Sequence, residues 1–215
     1  MLKGTKNTLT KRAPKAKEVF LLFYPFEYDI IISTKRDFSE NRQMRLLFEM
    51  DKKDYGGCAH SFTRDSARSI IIRNGMIAMI HSQKYDYYKF PGGGIEPGEY
   101  AVDALIRETA EESGLTVIPD SIREYGYVHR IQKSTVKEDE YFVQDNYYYL
   151  CDAEEGVRPQ KLDDYESDEQ FTLEFVMPEN AILSNRAKAH GPKDPVMLER
   201  EARVLEMLLS ERLTE

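Results

Sequence analysis

Short runs of apolar and β-branched residues recur through the middle of the chain, and this pattern predicts strands. Ser69–Ile72 and Met76–His81 flank Asn74 and Gly75, an Asn-Gly pair that favours the tight turn of a β-hairpin. Similar runs predict strands at Tyr87–Phe90, Thr116–Ile118, Glu124–Ile131, Tyr141–Asp152 and Phe171–Val176. The middle of the chain is therefore expected to be rich in β-structure.

Helical spacing replaces this pattern in three places. From Tyr100 to Ser113, apolar residues recur at the spacing of one helix face, and Gly114 is a typical C-terminal stop. Glu179–Asn185 predicts a short helix after Pro178. A last helix is predicted over residues 195–213, where Asp194 caps, Pro195 takes the first position and leucines form an apolar face. The polar segment Ala153–Glu169 is expected to be a loop.

The first 43 residues differ from the rest and are predicted to be an N-terminal extension of uncertain role. Residues 1–17 carry lysines and arginine but no acid, which is typical of a solvated tail. Val19–Tyr24 and Tyr28–Ser33 could add strands. The main domain is expected to begin at Met44 and to extend over residues 44–215.

Charge and cysteine content exclude several classes of protein. The formal net charge of -8 disfavours broad binding to nucleic acid or to anionic membranes. The apolar run that ends at Pro25 is too short to cross a bilayer. Cys58 and Cys151 are far apart, which excludes a disulfide framework, argues against zinc and favours a cytoplasmic setting.

Three carboxylates provide the first indication of chemistry. Glu108, Glu111 and Glu112 stand at i, i+3 and i+4, so they share one helix face and repel one another. Taken alone they indicate a solvated charged face, with Arg107 paired to Glu111. The glycine run that ends at Gly94 changes this interpretation, because a glycine loop can bring its carbonyl oxygens to a cation. Hard divalent cations prefer such oxygen ligands, and magnesium also binds phosphates.

The residues from Gly93 to Leu115, GGIEPGEYAVDALIRETAEESGL, resemble the signature box of the Nudix hydrolase family. The family pattern is G, five residues, E, seven residues, then R-E-U-x-E-E-x-G-U, where U is aliphatic. Only Thr109 departs from the pattern, as a polar residue at an aliphatic position. A match over so many fixed positions is far more specific than a lone glycine motif. The looser order of strands and helices extends the resemblance to roughly residues 67–190.

The resemblance implies a role for each matching residue. The metal ligands would be Gly93, Glu108, Glu111 and Glu112. The catalytic set would be Arg107, which orients the glutamates, with Glu111, Glu112 and a downstream acid. Glu169 is the preferred downstream acid, Glu166 is its rival, and a box glutamate is a third option. The residues with structural roles in the loop and at the helix ends would be Gly92, Gly94, Glu99 and Gly114.

The resemblance also implies a fold and an activity. The fold would be an α/β/α sandwich with a mixed β-sheet and a catalytic loop–helix–loop. The activity would be hydrolysis of a phosphoanhydride bond with Mg²⁺, or with Mn²⁺ as the alternative ion. The substrate is left open between ADP-ribose-like molecules, nucleoside triphosphates and other nucleotide conjugates. The residues do not decide whether the tyrosines pack or stack on a base, and a homodimer is left open.

Two other functions compete with the hydrolase. A non-catalytic Nudix-fold module that senses a nucleotide would be expected to lack box glutamates, and none is lost here. An isomerase of isoprenoid diphosphates would need a catalytic cysteine, and neither Cys58 nor Cys151 lies near the box in sequence. The hydrolase is the favoured hypothesis.

Overall fold

Two β-sheets organise residues 44–187 and 189–214, the part of the chain that the computed structural model describes. The strands expected at Val19–Tyr24 and Tyr28–Ser33, with the remainder of the 1–43 extension, lie outside these residues. The described strands are β1 Leu46–Asp51, β2 His60–Thr63, β3 Ser66–Ile70, β4 Ile72–Arg73, β5 Met76–Ser82, β6 Tyr87–Lys89, β7 Gly92–Gly94, β8 Arg123–Lys133, β9 Glu140–Leu150 and β10 Phe171–Val176. The described helices are α1 Ala101–Ser113, α2 Asp164–Asp168, α3 Pro178–Ala187 and α4 Pro195–Ser210, and a 3₁₀ turn covers Pro119–Ser121.

The larger sheet is mixed, as the sequence predicted. Its order is β1-β8-β9-β3-β7, and β2 also pairs with β9. The pairs β1–β8, β2–β9 and β3–β9 are parallel, whereas β8–β9 and β3–β7 are antiparallel. Two strands of eleven residues, β8 and β9, form the long hairpin at its centre. The glycine strand β7 is therefore held in the sheet through β3.

The smaller sheet is antiparallel and contains the predicted Asn-Gly hairpin. It has the order β10-β5-β4, with β6 also on β5. Asn74 and Gly75 both have positive φ, at 51° and 77°, as the tight turn between β4 and β5 requires. The predicted strand Ser69–Ile72 is divided, because its first half belongs to β3 of the larger sheet and its second half to β4.

Adjacent residues of β9 point to opposite faces of the larger sheet and show how the layers stack. Tyr149 packs with Leu105 of α1, whereas Tyr148 packs with Leu205 of α4 and with Met79 of the smaller sheet. Helices therefore lie on both sides of the β-structure. This arrangement confirms the predicted α/β/α sandwich.

Three local predictions need correction. Thr116–Ile118 is not a strand but a single bridge from Val117 to Ala153, because Pro119 starts a 3₁₀ turn directly after it. The segment Ala153–Glu169 is not entirely loop, since Asp163 and Glu166 form a capping box that starts the short helix α2. Helix α4 ends at Ser210, three residues before the predicted end at 213. None of the described helices has the length and apolarity needed to cross a membrane.

Candidate active site

The glycine strand β7 leads into helix α1 and requires glycine at its first position. Gly92 has a φ of 134°, and a Cβ added there would lie 2.1 Å from the carbonyl oxygen of Ala67. Before it, the backbone N–H of Phe90 donates to Glu201 of α4 at 3.4 Å. The glycine strand is thus held by the sheet on one side and by α4 on the other.

Glu108 lies directly against the backbone of Gly93. A Cβ added to Gly93 would lie 2.2 Å from Oε2 of Glu108, so a larger residue there would push this carboxylate away from the loop. Burial raises the pKa of Glu108, while the neighbouring Arg107 opposes the rise. The glycine loop and the first box carboxylate therefore lie against each other.

Arg107 holds the box acids in place. It donates to both oxygens of Glu99, at 2.9 and 2.8 Å, and to the carbonyl oxygen of Gly94 at 3.2 Å. The same guanidinium reaches Glu108 at 2.6 Å and Glu111 at 3.3 Å. The hydrogen bonds from Arg107 lower the pKa of Glu99. Arg107 therefore ties the loop to the helix and offsets repulsion between two of the acids.

Glu112 is buried and paired with a residue that sequence reasoning missed. Its Oε1 contacts the ammonium of Lys89, and its Oε2 accepts the backbone N–H of Gly92 at 3.0 Å. Only 2% of the Glu112 side chain and 7% of the Lys89 side chain are exposed. Lys89 lies on β6, 23 residues before Glu112, and no local motif joins the two. Only the three-dimensional fold reveals this pair.

The two downstream acids occupy different surroundings. Glu166 lies beside Glu112, and burial raises its pKa to about 7, with the charge of Glu112 adding to the rise. Glu169 contacts the ammonium of Lys193, and it accepts hydrogen bonds from Tyr87 at 2.7 Å and Ser82 at 3.2 Å. The rival candidate, Glu166, is therefore the acid that neighbours the box, whereas Glu169 belongs to a separate buried pair.

The charged groups around the box carry a negative excess, which would favour the binding of a cation. The groups that interact here are the carboxylates of Glu99, Glu108, Glu111, Glu112 and Glu166 and the cations of Arg68, Lys89 and Arg107. The guanidinium of Arg64 also lies beside Gly94, so the carboxylates still outnumber the cations when all are ionised, but only by a small excess. Oxygen donors of this kind suit Mg²⁺ or Mn²⁺.

These acids nevertheless stand apart, and protein cations pair with several of them. In the described part of the chain, no three His, Cys, Asp or Glu side chains converge closely enough to hold a metal. Arg107 holds Glu108 and Glu111, and Lys89 holds Glu112. The residues fit a metal by charge and donor type, and its binding would require these ion pairs to rearrange.

A cavity of about 740 Å³ lies at one end of the larger sheet. Phe62 is 48% exposed and stacks on Phe142 with 6.0 Å between ring centroids. Gln132 and Arg130 are both buried. Oε1 of Gln132 and Nε of Arg130 have no hydrogen-bond partner. Lys193 lines this cavity and also contacts Glu169. The cavity therefore adjoins one of the two downstream acids.

Sequence reasoning had considered tyrosines, not phenylalanines, for stacking on a base. Tyr87, Tyr125, Tyr148 and Tyr149 are buried and pack in the hydrophobic core or its satellites. No sequence signal singled out Phe62, because it becomes part of the cavity only through the pairing of β2 with β9.

The comparisons with known proteins agree with the box. The family model described as NUDIX domain matches residues 63–199. No curated protein matches the chain.

Several solved structures are similar to this chain. The E. coli ORF135 protein is 20% identical with a TM-score of 0.44, covering 70% of this chain and 93% of its own. A NUDIX hydrolase from Nitrosomonas europaea is 16% identical with a TM-score of 0.46, covering 68% and 89%. A MutT NUDIX hydrolase from Burkholderia pseudomallei is 18% identical with a TM-score of 0.43, covering 64% and 97%.

The geometry of the glycine strand predicts a large cost for Gly92→Ala. The new Cβ would meet the Ala67 carbonyl oxygen, and the φ of 134° would strain an alanine. We expect a loss of at least about 2 kcal/mol in the free energy of unfolding, measured by urea denaturation. Gly56→Ala is the control, since a Cβ at Gly56 meets no atom within 4 Å. Equal stability of the two variants would contradict this description of the loop.

Proposed function

Because this chain belongs to the NUDIX domain family and is therefore a hydrolase of pyrophosphate bonds, we propose that it cleaves the phosphoanhydride of a nucleotide-type substrate with Mg²⁺. Mn²⁺ is the alternative ion. We assign this activity to residues 44–215, in which the box and the cavity both lie. The substrate class is a nucleoside triphosphate or a nucleoside diphosphate linked to a second group.

The observation that carries the proposal is the negative excess beside the glycine loop. Glu108 lies directly against Gly93, where an added Cβ would displace its carboxylate. Arg107 shares one guanidinium among Glu99, Glu108 and Glu111, so it cannot neutralise all three. Uncompensated carboxylates of this kind cost stability unless a further cation joins them. A magnesium-bound polyphosphate supplies that cation and its own ligands.

Each box residue has a role in this proposal. Glu108, Glu111 and Glu112, with the carbonyl of Gly93, would hold the metal. When bound, the metal neutralises charge on the phosphate oxygens and makes a nearby water more acidic. Arg107 is a positioning residue, because its contacts with Glu99 and Gly94 fix the helix relative to the loop. The attacking water forms a bond to one phosphorus as the bridging P–O bond breaks, and the other phosphate leaves.

We favour Glu166 over Glu169 as the group that takes the proton from this water. Glu166 lies beside Glu112, so its carboxylate is close to the box. Glu169 is engaged by Lys193, Tyr87 and Ser82, and protonation of its carboxylate would weaken this satisfied ion pair. General bases must lie within hydrogen-bond reach of the proton they accept. The oxygens of Glu166 also accept from Asp163 and Tyr165, so its contact with Glu112 is what favours it.

The cavity at the end of the larger sheet is proposed to hold the nucleoside. Phe62 and Phe142 offer aromatic faces, and stacking on such faces contributes roughly 1–3 kcal/mol per base. The side chain of Gln132 lines the cavity, and its Oε1 is buried without a hydrogen-bond partner, so a turn of this side chain would let it pair with a base. Lys193 lies between this cavity and the buried acids, on the side from which phosphates would extend.

The first prediction from this proposal concerns activity. With Mg²⁺ at mildly alkaline pH, the full chain should hydrolyse at least one compound in a panel of ADP-ribose, dinucleotides and nucleoside triphosphates. Glu111→Gln should lower kcat on that compound at least about 100-fold, because it removes a charged group where charge develops. The exposed Glu179 of α3 provides the control Glu179→Gln. Absence of turnover on every compound, with tight binding that Glu111→Gln leaves unchanged, would instead indicate a nucleotide-binding module.

The second prediction separates the two downstream acids. Glu166→Gln should lower kcat by about 10²- to 10⁴-fold, the range expected for loss of a general base. The fold of α2 should survive, because glutamine also completes a capping box. Glu169→Gln should lower kcat less than about tenfold. The opposite ranking, with both variants folded by circular dichroism, would restore Glu169 as the catalytic acid.

The third prediction concerns the cavity. Phe62→Ala should raise KM for the best substrate about 5- to 100-fold, because one stacking contact is lost, and should change kcat much less. Leu183→Ala is the control, since Leu183 is 67% exposed and lies on α3 outside the cavity. An unchanged KM in Phe62→Ala would show that the nucleoside binds elsewhere.

A further inference from the structure

Lys89 is an unusual neighbour for a residue expected to bind a metal. Its ammonium contacts Oε1 of Glu112 and lies 4.6 Å from the ring centroid of Phe171. Both members of the pair are almost fully buried. Lys89 therefore provides, inside the protein, the positive charge that the proposed metal would bring to the same carboxylate.

Two cations cannot share Glu112 without cost. A buried ammonium and a divalent cation on one carboxylate repel each other strongly, because little solvent screens them. Oε2 of Glu112 accepts the N–H of Gly92 and Oε1 contacts Lys89, so both oxygens already have a donor when a second cation arrives. A metal that binds Glu112 must therefore displace Lys89 or remain at a distance.

Resting on the proposed function, we propose that Lys89 is an internal counter-ion that occupies Glu112 in the metal-free protein and lowers the affinity of the box for its divalent cation. Lys89 keeps Glu112 buried and oriented toward the glycine strand when no metal is bound. The displaced ammonium still has an acidic neighbour, because Glu166 lies close to both members of the pair. Lys89 thus sets how readily the metal enters without taking part in the chemistry.

The test is a calorimetric titration of the full chain with Mn²⁺ alone. Lys89→Met removes the charge but keeps an unbranched apolar chain that can pack on Phe171. We expect this variant to bind Mn²⁺ at least tenfold more tightly than the wild type. We also expect its melting temperature to be lower without metal, because Glu112 is left buried and unpaired, and to rise more on addition of Mn²⁺.

Further variants keep this test decisive. Lys89→Gln retains a hydrogen-bond donor for Glu112 without the charge, and it replaces Lys89→Met should the latter not fold. Lys84→Met is the control, because it removes an ammonium from an ion pair with Asp168 outside the box and the cavity, and it should change Mn²⁺ affinity less than twofold. The double variant Lys89→Met with Glu112→Gln should lose the gain in affinity.

The outcomes distinguish this inference from the function on which it rests. Mn²⁺ affinity that is equal or weaker in both Lys89 variants, with binding still lost in Glu111→Gln, would overturn the role of Lys89 alone. Absence of Mn²⁺ binding in the wild type and in every Lys89 variant would overturn both proposals. Tighter binding in the Lys89 variants that persists without Glu112 would overturn competition at this carboxylate.

Discussion

Repulsion among the carboxylates on one face of α1 is the constraint on which the site depends. Glu108, Glu111 and Glu112 repel one another at this spacing, and the burial of Glu112 makes a positive partner necessary there. Arg107 pairs with Glu108 and Glu111, whereas Glu112 pairs with Lys89 and accepts a backbone N–H. These groups do not fully balance the acids, and the remaining negative charge is what suits the region to a divalent cation and a polyphosphate.

The fold supplies the rigid parts that this arrangement needs. The glycine strand β7 is fixed by its antiparallel pairing with β3, and α1 begins seven residues after β7 ends. Helix α4 covers the opposite face of the larger sheet and contributes Glu201, which receives the N–H of Phe90. The glycine strand and α1 are thus attached to different parts of the sandwich, and the side chain of Arg107 spans the short distance between them.

Sequence patterns predicted the elements whose causes are local. The Asn-Gly turn, helix α1 with its stop at Gly114, and the box itself depend on residues close together in the chain. The failure at Thr116–Ile118 is instructive, because β-forming residues alone do not make a strand when no neighbouring strand pairs with them. The capping box of α2 was readable in the sequence but was missed within an acidic segment.

The features that could not be predicted all depend on contacts between distant segments. Lys89 reaches Glu112 because β6 and α1 are adjacent in space, and Lys193 reaches Glu169 across the end of the smaller sheet. The cavity draws on residues from β2 through to the start of α4. Neither periodicity nor motif spacing contains this information, since it follows from how the two sheets and the helices pack.

We propose that the box carboxylates together form the site for a divalent cation. The most direct measurement is the melting temperature of the full chain as a function of Mn²⁺ concentration, for the wild type and for Glu108→Gln with Glu111→Gln. We expect the melting temperature of the wild type to rise with Mn²⁺ concentration, as for a ligand that binds only the folded state. We expect almost no rise in the double variant. A wild-type melting temperature that does not respond to Mn²⁺, or a rise that the double variant fully retains, would contradict it.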